Sequence, residues 1–200
     1  MQGRTVSNLR VDARRNRDEL LDVARQVFAE EGVDASLRDI ARRAGVGIGT
    51  LYRHFPTRED LLAAIIDGGV RRMAGRAADL AASEPPEAAL RDWLHDVTAR
   101  IGPYRGLPGS MVDALIDGDS GLRVTCEGMM TAGEQLLASA QAAGAVRTDA
   151  SWKDVFTAVA AISGIAVQSG KDTAARVLDV YLDGLRPTGG STAASLPLWN

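Results

Sequence analysis

Along most of the chain apolar residues return at intervals of three and four, the spacing of an amphipathic helix, and no alternating strand pattern persists. Leu20, Leu21, Ala24, Val27 and Phe28 predict a first helix from about residue 14 to Glu31, which Gly32 ends. A second, shorter helix follows Ser36, a fitting N-cap with Asp39 three residues on, and carries Leu37, Ile40, Ala41 and Ala44 on one stripe before Gly45 stops it. A third covers roughly 47 to 54, with Ile48, Leu51 and Phe55 in register and Pro56 closing it. The fourth begins at Thr57, where Asp60 completes a capping box, and runs through Leu61, Leu62, Ile65, Ile66, Val70 and Met73, interrupted only by Gly68 and Gly69. Past the break at Pro85 and Pro86 the same periodicity places helices near 87 to 101, 108 to 118, 120 to 143, 151 to 168 and 172 to 185. From Pro187 the composition turns to P-T-G-G-S-T-A-A-S, which predicts a disordered tail over 187–200.

The expected fold is therefore all-α. Two short helices joined by A-G-V, the second opening with small residues, form a helix-turn-helix candidate over 14–56. Ala41 is small where the two helices cross, Gly45 lets the chain reverse, and Val46 and Leu51 fill the space between them. Gly47 and Gly49 stand out, because glycine costs about 1 kcal/mol against alanine inside a helix. A third helix whose N-terminal end enters a major groove makes sense of them: without side chains, backbone can come near phosphates and base edges. Residues 57–186 are expected to form a second helical domain, with 57–80 as the connecting helix and the broad apolar faces of its last two helices suited to dimerisation.

Charge sharpens this division. Residues 1 to 58 hold 11 Arg against 8 acidic residues, whereas the remainder holds 12 Lys and Arg against 18 acids, within a net charge of −3. Arg4, Arg10, Arg14, Arg15 and Arg17 meet only Asp12 before Asp18, so residues 1–13 read as a basic, flexible arm suited to a polyanion. The lone cysteine, Cys126, excludes an internal disulfide and a cysteine-based zinc site, and two histidines leave little for metal or acid–base clusters. No metal or cofactor is expected. No apolar run approaches the roughly 20 residues that span a bilayer, and the N-terminus lacks a signal peptide's apolar core, so the expected location is cytoplasmic, away from the membrane.

From Arg17 to Leu62 the chain resembles the DNA-binding domain of TetR-family transcriptional regulators. The likeness is carried by A-x-x-x-F-A-E-E-G at Ala24 to Gly32, S-L-R-D-I-A-R-R-A-G-V at 36 to 46, and G-T-L-Y-R-H-F-P-T-R-E-D-L-L at 49 to 62. It implies a homodimer that binds a double-stranded DNA operator and answers to a small-molecule effector. Residue by residue it puts Thr50, Tyr52 and His54 against DNA, Tyr52 through its hydroxyl on a phosphate, with Arg53 at a variable position that could reach guanine. Arg58 stands where the family often has a phosphate-contacting lysine, and Arg38 lies on the exposed face of the second helix. The chain departs from the family at Gly47-Ile48, where many members carry a Ser-Lys type pair. Ile48 either touches a thymine methyl or packs.

The candidate effector wall is Trp93, His95, Tyr104, Met111, Cys126, Met129 and Met130, since methionine adapts to irregular apolar space. The expected effector is apolar or amphipathic, and the same residues would equally serve as core. An enzyme would need Cys126 as nucleophile with His95 as base; the reading adopted is that the protein is not an enzyme. A helix-turn-helix protein acting constitutively, or through a protein partner without a small ligand, shares the same DNA face and differs by lacking a cavity. The Gly68-Gly69 pair is either a bend point of the fourth helix or a place of close packing against a neighbour.

Overall fold

In a computed structural model the described residues, 3–102, 104–116 and 121–187, form nine α-helices and no strand. These are α1 (Gly3–Glu31), α2 (Leu37–Arg43), α3 (Ile48–His54), α4 (Arg58–Ser83), α5 (Pro86–Ile101), α6 (Leu107–Ile116), α7 (Gly121–Ala142), α8 (Trp152–Ser169) and α9 (Lys171–Gly184). The α1 backbone is helical from Gly3, so most of the stretch expected as a flexible arm continues the helix. No glycine or proline stands between Arg4 and Arg17 to stop it. The expected tail, from residue 188 onward, lies outside the described residues. No helix is long and apolar enough to cross a membrane among those described.

Helix starts follow local chemistry. Thr57 and Asp60 make a full capping box at α4, with the Thr57 N–H donating to Asp60 Oδ2 at 3.0 Å and the Asp60 N–H to Thr57 Oγ1 at 3.0 Å. Ser151 and Asp154 repeat it at α8. Each box satisfies backbone donors that a helix otherwise leaves unpaired. Pro86 opens α5, where its missing N–H costs nothing.

The buried apolar residues form one continuous cluster from Leu20 in α1 to Leu185. α4 runs through its middle: it packs on α1 near its start and on α5 and α7 along its length. The Trp93 indole of α5 donates its N–H to the Met73 carbonyl of α4 at 2.8 Å, so a buried donor is satisfied across the helix pair. Trp93, Trp152 and Phe156 then stack in tilted pairs with centroids 5.9 Å apart, linking α5 to α8. Gly133 of α7 sits directly beneath the six-membered ring of Trp152, and a Cβ there would overlap the ring.

Gly133→Ala is therefore expected to destabilise the protein by about 1–3 kcal/mol through overpacking. On the same helix Gly128 has nothing within 4 Å of a built Cβ, so Gly128→Ala should stabilise by about 0.5–1 kcal/mol. Urea unfolding of both variants checks the pair; equal effects would mean that Trp152 does not occupy this seat.

Candidate functional site

The turn between α2 and α3 is set by backbone hydrogen bonds. The Val46 N–H donates to the Ala41 carbonyl at 3.0 Å and the Gly45 N–H to that of Arg42 at 3.1 Å, a Schellman arrangement. Gly45 takes φ +67°, a left-handed conformation that a side chain resists. Behind the turn Ile40, Ala41, Leu51 and Phe55 are buried. Gly47, the N-cap of α3, has φ −69°, and nothing lies within 4 Å of a Cβ built on it or on Gly49. Packing therefore requires neither glycine.

With Leu51 and Phe55 turned inward, α3 presents Gly49, Tyr52 and Arg53 to solvent and leaves Thr50 and His54 half-buried. Tyr52 is 48% exposed, an aromatic side chain held where no core needs it. Arg38 is exposed on α2. Ile48 is half-buried and packs against the core cluster in the free protein.

In the free protein Arg58 has partners within the chain. Its Nη1 donates to the carbonyls of Val33 and of Ala35, the latter at 2.7 Å, and so ties the start of α4 to the loop after α1. Arg43 does similar work at the end of α2, reaching Asp39 at 2.7 Å, Glu30 at 3.1 Å and Glu31 at 2.5 Å. The Arg17 guanidinium lies 5.3 Å from the centroid of the Phe55 ring. Sequence reasoning missed these three straps because each spans elements that periodicity treats separately. Hydrogen bonding from Arg42, and next from Arg43, holds the Asp39 carboxyl below its usual pKa of 3.8.

The predicted effector residues do not form one wall. Tyr104, Met111 and Met129 line a cleft of about 570 Å³ between α1, α4, α5, α6 and α7, together with Gly68 and Gly69. Met111, Cys126 and Met130 line a second cleft of about 360 Å³ beside Trp152. His95 lies elsewhere, half-buried, with Nε2 3.0 Å from Asp179 of α9 and on a third cleft between α5, α8 and α9. Trp93 is fully buried and lines none of these three clefts; its N–H is already committed to Met73, and it is a core residue. Burial pushes the Cys126 thiol up to about 12, so it stays protonated and is no nucleophile. Only the Arg72 guanidinium of the same helix comes within 4 Å of a Cβ built on Gly68 or Gly69, so the pair is not a packing contact with a neighbouring helix.

Two family models match this arrangement. Residues 20–65 match the bacterial regulatory proteins of the tetR family, and residues 85–187 match the SbtR-like transcriptional regulator C-terminal domain. The chain belongs to the TetR family of transcriptional regulators. A TetR transcriptional regulator from Streptomyces coelicolor is 38% identical, with a TM-score of 0.56 over 86% of this chain and 99% of its own. A helix-turn-helix transcriptional regulator of Staphylococcus aureus (strain USA300) is 46% identical over 54 residues, 26% of this chain, and the match spans only 29% of that relative's length. A ketosteroid transcriptional regulator of Mycobacterium tuberculosis shares the fold at 21% identity, with a TM-score of 0.58 over 86% of this chain and 95% of its own. The families and relatives are transcriptional regulators, not enzymes. Within this TetR-family domain Arg43 joins α2 to α1, Arg17 joins α1 to the end of α3, and Arg58 joins the start of α4 to the loop after α1.

If Arg58 acts as a strap, Arg58→Ala should lower stability by about 1.5–3 kcal/mol, the worth of hydrogen bonds from a charged donor. The salt dependence of DNA binding should stay unchanged, whereas a phosphate contact would alter the salt slope instead. Acid titration gives a second check. Asp39 has a folded pKa below its unfolded value, so its contribution is present above about 3.8 and is lost as pH falls through the lower folded value. Thermal unfolding between pH 5 and 2 should show this loss for the unmodified protein and less of it for Asp39→Asn.

Proposed function

We propose that this TetR-family regulator is a cytoplasmic repressor that binds a palindromic operator as a homodimer and releases it when a small apolar or amphipathic molecule enters the C-terminal domain. The observation that carries the DNA reading is the exposed face of α3. Gly49, Tyr52 and Arg53 face outward on a helix whose other side is buried and whose two glycines leave its end open. Arg53 is assigned to a base edge, Tyr52 to a phosphate, and Thr50, His54 and Arg38 to the flanking backbone. Gly47 and Gly49 supply clearance, and Ile48 anchors the helix.

Dimerisation is supported by the outer surface of α8 and α9. Val167, Val177 and Val180 are exposed there, Val180 to 74%, beside half-buried Ile165 and Tyr181. Two copies of such a helix pair make a four-helix interface with twofold symmetry. The cleft lined by Tyr104, Met111 and Met129 is the observation that favours an effector over constitutive binding, because it opens onto α4, which begins next to α3. Occupancy of the cleft would shift α4 and with it the spacing of two recognition helices, which must match about 34 to 36 Å on the duplex.

A scattering or chromatographic mass near twice 21.1 kDa is expected at micromolar concentration, and a strict monomer would refute the symmetric reading. Arg53→Ala should relax one base position at a cost of about 1 to 3 kcal/mol. Arg38→Ala should weaken all sequences alike and reduce the salt slope of log K by about 0.9. Unchanged affinity and specificity in Arg53→Ala would remove the base-reading role.

A further inference from the structure

The cleft between the DNA-binding helices and the C-terminal domain has an unusual lining. Its inner wall is apolar and buried, from Ile65, Val70 and Met73 of α4 to Leu107, Met111 and Met129. Its charged residues are Arg25, Arg72 and Arg100, with no Asp or Glu among the lining residues. This happens in a chain whose acids outnumber its bases, 26 to 23. By contrast the neighbouring cleft beside Trp152 mixes Arg123 and Lys153 with Glu127 and Glu134.

The three arginines come from three elements. Arg72 folds back over the Gly68-Gly69 pair of its own helix, where a Cβ on Gly68 would sit 3.4 Å from Nη1, so these glycines make the seat for a guanidinium on the cleft wall. Arg100 lies on α5 and lines the same cleft. Arg25 belongs to α1, within the DNA-binding domain, and its ion pair is an exposed one with Asp22 at 2.6 Å on the same helix. An exposed pair of this kind is weak and readily exchanged. A guanidinium offers a planar fork of donors that fits a carboxylate or phosphate, and several of them around an apolar hollow select a molecule with one anionic end and a greasy body.

We propose that this cleft binds an anionic amphiphile, its carboxylate or phosphate head at Arg72, Arg100 and Arg25 and its apolar body against Met73, Met111 and Met129. The assignment rests on the effector reading and gives that effector a chemistry. Because Arg25 rides on α1 while Arg100 rides on α5, the head group spans the two domains. Met111 also lines the cleft beside Trp152, so its flexible side chain is the partition that a longer body would displace.

The test is calorimetric titration of the full chain with decanoate and with decyl phosphate, against decanol and decyltrimethylammonium, each below its micelle concentration, with operator binding measured alongside. At least one anion should bind once per chain, about tenfold or more tighter than decanol, and the preferred anion identifies the head as carboxylate or phosphate. In the Arg72→Gln, Arg100→Gln double variant that anion should lose about tenfold in affinity, to the level of decanol, while decanol itself is unchanged. Restoring charge with Arg72→Lys, Arg100→Lys should recover part of the loss, which separates head-group binding from damage to the fold. The proposal is overturned if no anion binds, if decanol or the cation binds as tightly as the anions, or if the double variant binds the anions unchanged. Its failure is distinguishable from that of the effector reading. Operator release by decanol alone would sink the head group and keep the effector, and anion binding with unchanged operator affinity would keep the head group and sink the effector.

Discussion

The apolar stripe of α4 is buried on two sets of partners at once. Leu61 and Leu62 at its start and Val70, Met73, Ala77 and Leu80 further along belong to one cluster that also holds Leu20, Phe28 and Leu51 and the buried residues of α5 and α7. Each buried leucine of this kind contributes about 1.5–3 kcal/mol by leaving water. The two units are therefore not separate cores joined by a linker. Because a packed interior is as dense as an organic crystal, α4 cannot slide at one end without its side chains finding new seats at the other. The two ends of α4 are therefore coupled through packing.

A second contact joins the same two units away from α4. The Val33 N–H, in the loop after α1, donates to the Arg105 carbonyl at 2.9 Å, in the loop before α6. Val33 itself is buried against Gly106, where a Cβ would stand 2.6 Å from its Cγ2 and where the backbone takes φ +87°. Arg58 holds the carbonyl of this same Val33 from the other side. The loop thus receives bonds from the connecting helix at Val33 and Ala35 and gives one to the loop before α6. Tyr104 and Leu107, which flank Arg105 and Gly106, line the cleft, so whatever fills it touches both routes to the DNA-binding helices.

Helix positions were legible in the sequence because burial leaves a period. The capping boxes at Thr57 and Ser151 and the reversal at Gly45 are local chemistry and could be read directly. What periodicity reports is which face of a helix leaves water, not what it is buried against. Trp93 and Met129 occupy the same kind of stripe, yet the first is core and the second borders a cleft. Charged residues carry even less information: Arg58, Arg72 and Arg53 all sit on polar faces, and only the folded chain separates a strap, a cleft wall and an outward-facing side chain. At Gly68 and Gly69 the sequence offered a bend or close packing, and the fold lays the Arg72 guanidinium of the next turn over them rather than a neighbouring helix.

On the proposed mechanism a small displacement in the cleft suffices. With 26 residues, α4 is about 39 Å long, so a tilt of about 5° about its far end moves its start by about 3 Å. In the proposed dimer the two starts move in opposite senses, which alters the separation of the recognition helices by about 6 Å against a required spacing of about 34 to 36 Å. The energy needed is modest. A molecule that binds the tilted state better by about 1–3 kcal/mol weakens operator binding about 5- to 150-fold, and one that binds both states equally does nothing, however tightly it binds. The proposed head group would meet that requirement if tilting α4 changed the separation of Arg25 on α1 from Arg100 on α5, since its affinity would then differ between the two states.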